Sequence, residues 1–137
     1  MGTTMNIVIV GCGRVGARLA GTLDQAGHRV SVVDIQSAAL RRLSPEFSGT
    51  AVVGTGVDED VLKLAGIEEA DAFFAVTNGD NTNLMAAQLA QKRFQTPQVA
   101  ARVYDPVRAE TYRRMGIYTV CPTTTIASLL LDSLSTS

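Results

Sequence analysis

Three glycines, Gly11, Gly13 and Gly16, follow the apolar run Ile7–Val10 in the stretch IVIVGCGRVG. This G-x-G-x-x-G spacing belongs to phosphate chemistry. The first glycine permits a tight turn, the second lets the backbone approach a pyrophosphate, and the third lets a helix pack closely on a strand. The free N–H groups and the dipole at the start of that helix attract an anion. Cys12, Arg14 and Val15 fill the intervening positions and count with the loop as binding residues. Arg14 is the position expected to tell one nucleotide from another. A basic residue in a first helical turn opposes the dipole, and a bound phosphate would offset that cost.

Alone, the glycine pattern is weak, so its surroundings decide. It follows an expected strand and opens an expected helix. Asp34 lies 18 residues past Gly16, close to the ~20 of the dinucleotide fingerprint. At the end of a second strand, Asp34 can accept hydrogen bonds from both ribose hydroxyls, with Ile35 beside it. It would also repel a 2′-phosphate. Arg41 and Arg42, the next arginines, are expected on the far side of a helical turn. NAD(H) or an adenine mononucleotide is therefore favoured over NADP. Other strand ends should line the same cleft: Gly54, Thr55 and Gly56, then Thr77, Asn78 and Gly79, then Val103 and Tyr104. Asp80 and Thr82 fit either a helix cap or a ligand contact, and Asn83 either a ligand contact or a solvated first-turn residue. Arg102, near the end of a buried strand, calls for an anionic partner, either a phosphate or a carboxylate such as Asp105.

These residues need a scaffold, and the chain supplies one. Strands are expected at Asn6–Val10, Arg29–Asp34, Thr50–Val53, Ala72–Val76, Gln98–Val103 and Thr119–Cys121. Helices are expected at about Arg14–Gln25, Ser37–Leu43, Asp58–Ala65, from the TNGDNTN loop (Thr77–Asn83) to Phe94, from Asp105 to Gly116, and from Pro122 to Leu134. The first strand is apolar at consecutive positions, as in a strand buried on both faces of a parallel sheet. Strict strand–helix alternation gives an α/β fold, a Rossmann-like doubly wound parallel six-stranded sheet of order 3-2-1-4-5-6, with its switch point between strands 1 and 4.

The bulk properties narrow the class. The chain has 137 residues, 46% hydrophobic and 18% charged, with a net charge of −1. That suits one globular domain and leaves no electrostatic footprint for nucleic acid. No apolar run reaches the ~20 residues of a membrane span and no secretory leader pattern opens the chain, so neither membrane insertion nor export is expected. Two isolated cysteines, Cys12 and Cys121, read as reduced thiols of a cytoplasmic protein and form no zinc motif. Met1–Thr4 read as a disordered start or a cloning remnant, and 5–137 as the nucleotide-binding domain.

Catalytic groups are missing from the pattern. The single histidine, His28, falls at the amino edge of the sheet as an exposed turn residue. There is no P-loop and no assembled Ser-His-Asp set. Binding without turnover is the expectation. The alternatives are a fragment of an NAD-dependent oxidoreductase and a structural dimerisation module with an empty cleft.

The start MNIVIVGCGRVGARLAGTLDQAGHRVSVVD resembles the N-terminal domain of the regulator of potassium conductance family. VVGTGVDEDVLKLAGIEEADAFFAVTNGDNTNLMAAQLA, VAARVYDP and MGIYTVCPTTTIASLLL agree in order, so the similarity runs from about Met5 to Leu134. The resemblance implies a domain that binds NAD(H) or ATP/ADP and serves a Trk- or Ktr-type potassium transporter or a potassium channel at the inner face of the membrane. It implies a homodimer, in some cases a ring. It assigns phosphates to Gly11, Gly13, Arg14 and Gly16 and the ribose to Asp34, places Thr77, Asn78 and Arg102 beside the ligand, and makes the last Leu-rich helix a crossover to a partner subunit. Ile126, Leu129, Leu130, Leu131 and Leu134 spread over more than one stripe of that helix, as several packing surfaces require. Two departures stand out. Thr55 replaces the acid that often follows the third strand, and the usual C-terminal ligand domain does not follow, which fits either a truncated piece or a single-domain subunit.

Overall fold

The computed structural model describes residues 2–135. Met1 and the final two residues lie outside it, so the expectation for Met1–Thr4 is testable only at Gly2–Thr4, which carry no helix or strand. Six parallel strands form one sheet in the order β3-β2-β1-β4-β5-β6. They are β1 (Asn6–Val10), β2 (Arg29–Asp34), β3 (Thr50–Val53), β4 (Ala72–Ala75), β5 (Gln98–Arg102) and β6 (Tyr118–Val120). The helices are α1 (Arg14–Gln25), α2 (Glu59–Leu64), α3 (Asp80–Gln88), α4 (Pro106–Arg114) and α5 (Pro122–Asp132). A 3-10 segment, Ser37–Arg42, joins β2 to β3, and a π turn, Leu89–Arg93, extends α3.

The centre of the sheet follows from its sequence. In β1, Ile7–Val10 are all buried, because α1 covers one face and α2 and α3 the other. Ile7, Ile9, Val30 and Val32 pack with Ala20, Leu19 and Leu23 of α1. Val8, Val10, Val33 and Phe73 pack on the opposite side with Leu62, Leu84 and Ala87. Register aligns Ile9 with Val32 on one side and Phe74 on the other.

Towards β6 the cover thins. Thr119 is buried between exposed Tyr118 and Val120, the alternation of a sheet with one open face. Val99 and Ala101 of β5 also point to the covered side, where α3 and α4 lie. Helix α5 does not close the other side, since none of its residues is buried. Ile126, Leu129, Leu130, Leu131 and Leu134 are 56–81% exposed.

Several expected boundaries move. Helix α3 begins at Asp80, inside the stretch expected as a loop. Gly79 is its N-cap, and the helix turns Asn83 inward. Strand β6 sits one residue earlier than expected. Asp58 and Asp105 stand just outside their helices as caps, accepting from the N–H of Asp60 and Val107 at 2.8 and 3.1 Å. His28 is half-buried rather than an exposed turn residue: its Nδ1 accepts the Met5 N–H at 3.0 Å and pins the entry to β1.

Candidate nucleotide site

The carboxyl ends of β1, β2, β3 and β4 open onto one cleft of about 400 Å³, within the range of small-molecule sites. It lies at the switch point, where β1 leads to β2 on one side and β4 stands on the other. Its floor is Val10, Gly11 and Gly13, and its walls include Asp34, Ile35, Gln36, Ala39, Arg42, Gly54–Gly56, Thr77–Gly79 and Thr82.

Two of the three glycines are forced by contact. Gly11 adopts φ +109°, and a Cβ there would lie 2.9 Å from the Thr77 nitrogen. A Cβ on Gly16 would collide with the Gly11 carbonyl, so α1 can approach β1 only without a side chain. Gly13, the N-cap of α1, has nothing within 4 Å of an added Cβ. Its backbone faces open space in the cleft, where a phosphate could come close.

Asp34 holds the loop as well as facing the cleft. One carboxylate oxygen accepts the Cys12 N–H and the other the Gln36 N–H, both at 2.8 Å. Each oxygen keeps a lone pair for a further donor. The Cys12 thiol is buried beneath. Burial first, then the Asp34 charge, pushes its pKa up, while Arg42 pulls the other way.

Of the residues expected at the site, Gly11, Gly13, Asp34, Ile35, Gly54, Thr55, Gly56, Thr77, Asn78 and Gly79 line the cleft. Cys12 and Gly16 support it from behind. The side chains of Arg14 and Val15 are exposed and outside its lining, and Val103, buried in the core, and Tyr104 lie outside it as well. Arg102 also stands outside the lining, and no carboxylate among the described residues pairs with it. Its Nη2 donates to the Val76 and Thr77 carbonyls at 2.6 and 2.8 Å, so the guanidinium braces the β4 end. Asn83 is no solvated residue but fully buried. Its Oδ1 accepts from the Thr77 N–H (2.9 Å) and hydroxyl (2.6 Å), and its Nδ2 donates to the carbonyls of Thr77 and Arg102, both 2.9 Å. Asp80 accepts from the backbone N–H groups of Tyr104 (2.8 Å) and Asp105 (3.1 Å), tying α3 to the next loop.

Sequence reasoning missed Arg42. Expected on the far side of a helical turn, it lies on the cleft wall, where Nη1 donates to the Cys12 carbonyl at 3.2 Å. Ala39 and Arg42 share that wall because side chains three apart eclipse in a 3-10 segment, and Gln36, the extended residue before it, lines the same wall. The i, i+3, i+6 spacing was the available signal. Among the described residues no cluster of His, Cys, Asp and Glu could hold a metal, and no helix is long and apolar enough to cross a membrane.

A family model described as the TrkA-N domain matches residues 7–123. The chain belongs to the TrkA-N domain family. It is 52% identical over 130 residues to the Trk system potassium uptake protein TrkA of Streptomyces coelicolor, an alignment covering 95% of this chain and 58% of that protein. The chain thus spans little more than half the length of that relative. The TrkA-N domain of the inner membrane protein YbaL from Escherichia coli superposes with a TM-score of 0.84 at 20% identity, covering 98% of this chain and all of that one. The GsuK channel bound to NAD superposes with a TM-score of 0.71 at 24% identity over 86% of this chain and 21% of the channel chain. GsuK bound to ADP gives the same score and identity over 87% of this chain and 31% of that one. At these identities the structural matches establish a shared fold.

Proposed function

We propose that this TrkA-N domain is a nucleotide-responsive regulatory unit, residues 5–137, for a potassium transporter or channel subunit at the inner face of the membrane. The observation that carries the reading is the cleft itself. An open-sided glycine (Gly13), a helix start and an acid (Asp34) converge on one cavity at the switch point of the sheet, as phosphate and ribose recognition requires. The names of the Streptomyces relative and of the NAD- and ADP-bound GsuK structures support both the ligand class and the partner.

In this reading the nucleotide is NAD(H) or ATP/ADP. Its phosphates cross the Gly11–Gly16 loop, and Arg14, exposed beside the helix start, reaches a terminal phosphate. Asp34 accepts from the ribose hydroxyls. Ile35, Gly54, Thr55 and Gly56 face the base, and Thr77, Asn78 and Gly79 close the far side, with Arg102 holding that loop from behind. The role is sensing rather than turnover: the one histidine accepts from Met5 at the amino edge of the sheet, away from the cleft. Helix α5, apolar and unburied, pairs with a second copy. Nucleotide binding then shifts the packing between paired subunits, by no more than the difference of its affinities for the two arrangements.

Calorimetric titration with NADH, NAD, ATP, ADP and AMP tests the reading. At least one is expected to bind at micromolar concentration. Absence of heat from all five into the high micromolar range overturns it.

A further inference from the structure

Within the cleft lining, Arg42 is the single cationic side chain and Asp34 the single anionic one. Both stand at the same corner. Asp34 accepts the Cys12 N–H, while Arg42 donates to the Cys12 carbonyl, so one residue of the glycine loop lies between the two charges. Nη1 makes that contact, and the guanidinium carries five N–H donors in all. The 3-10 winding of Ser37–Arg42 holds it there, in line with Ala39.

An acid at the end of the second strand excludes a phosphorylated ribose by repulsion. The repulsion is unopposed only where no cation stands near, and here Arg42 is built into the wall. We propose that Arg42 sets the response of this cleft to a phosphate on the 2′ position of the adenosine ribose. Its guanidinium counters Asp34, so that a 2′-phosphorylated dinucleotide binds within about tenfold of the unphosphorylated one. Arginine suits this role because its planar fork pairs with phosphate oxygens in two parallel bonds. The proposal rests on the nucleotide reading above and extends it from adenine nucleotides in general to the ribose corner.

The test is the ratio of dissociation constants for NADP and NAD, measured by calorimetry on wild type, Arg42→Gln, Arg42→Lys and Arg41→Gln. Arg41 is the neighbouring exposed arginine outside the cleft lining, and controls for net charge. Melting temperatures confirm that each variant is folded. Arg42→Gln is expected to raise the ratio about tenfold, the loss of one charge-assisted contact. Arg42→Lys should restore most of it, and Arg41→Gln should leave it within threefold of wild type. A rise below threefold in Arg42→Gln overturns the proposal. So does an equal rise in Arg41→Gln, or a wild-type ratio above about ten. Wild type that binds neither dinucleotide nor any of the five nucleotides above overturns the nucleotide reading and this proposal together. Wild type that binds NAD with an unmoved ratio overturns this one alone.

Discussion

The two halves of the sheet repeat one rhythm and finish their carboxyl edges in opposite ways. Around β1–β3 the edge is left open. Asp34 makes two backbone contacts and still faces the cavity, Gly13 offers bare backbone, and Arg42 stands by. Around β4–β6, Asn78 and Thr82 still line the cleft, but three other polar residues are turned to the protein itself. Asn83 takes four hydrogen bonds, Asp80 binds the backbone of Tyr104 and Asp105, and Arg102 caps two carbonyls. That edge continues to α5, where the Thr123 hydroxyl donates to the Tyr104 carbonyl at 3.0 Å. The comparison separates polar residues that receive a ligand from polar residues that fix a loop, a distinction that residue type alone does not make.

Asn83→Ala breaks the closed half and has the largest expected effect. It leaves the Thr77 N–H and the Arg102 carbonyl without partners in a site where Asn83 is 0% exposed. Stranding buried groups costs ~1–3 kcal/mol each, and the members of a network fail together. A loss of about 3 kcal/mol is expected, read as a fall of melting temperature on the order of 10 °C. A fall of under 2 °C would show that the second half is no more rigidly built than the first.

Asp34→Ala breaks the open half and should do the reverse. Its two backbone contacts lie at a half-exposed site, so stability drops by only ~1 kcal/mol. Nucleotide affinity drops roughly 10- to 100-fold, the loss of charge-assisted bonds to the ribose. Unchanged affinity in the calorimeter would mean that Asp34 serves the loop alone and that both halves are structural.

The fold was legible because its signals are local. Consecutive apolar residues in Ile7–Val10, glycines past helix ends and the strand–helix alternation place β1–β5 within a residue and give the strand order. The glycine loop and Asp34 were legible because backbone clearance and strand-end position follow from spacing. What stayed hidden depends on winding and on pairing across the sequence. Thr77–Asn83 reads as a polar loop because nothing local reveals that Asn83 finds four partners inside. Arg42 reads as distant when an α-helical turn is assumed, and comes to the cleft because the segment is 3-10. Arg102 asks for an anion by its charge, and no local pattern shows that two carbonyl oxygens at the end of β4 meet its Nη2.

The smallest effect concerns a pair that copies the Asn83–Thr77 geometry on the surface. Asp24 at the end of α1 accepts the Ser48 N–H at 3.0 Å and the Ser48 hydroxyl at 2.7 Å, just as the Asn83 Oδ1 accepts an N–H and a hydroxyl from Thr77. The hydroxyl contact first, and the backbone contact next, hold the Asp24 carboxyl below its ordinary pKa of 3.8. A depressed folded-state pKa stabilises the protein above the unfolded value, and that stabilisation fades as pH falls through the folded value. Ser48→Ala should therefore melt slightly below wild type at pH 7, by far less than Asn83→Ala. The gap should close as the pH is taken below 3.8 and the carboxyl protonates in both proteins. Ser48→Ala removes one contact where Asn83→Ala removes four, and water replaces the lost partner at exposed Asp24 but cannot reach Asn83. A gap that widens in acid would assign the contribution to the protonated carboxyl and reverse this account.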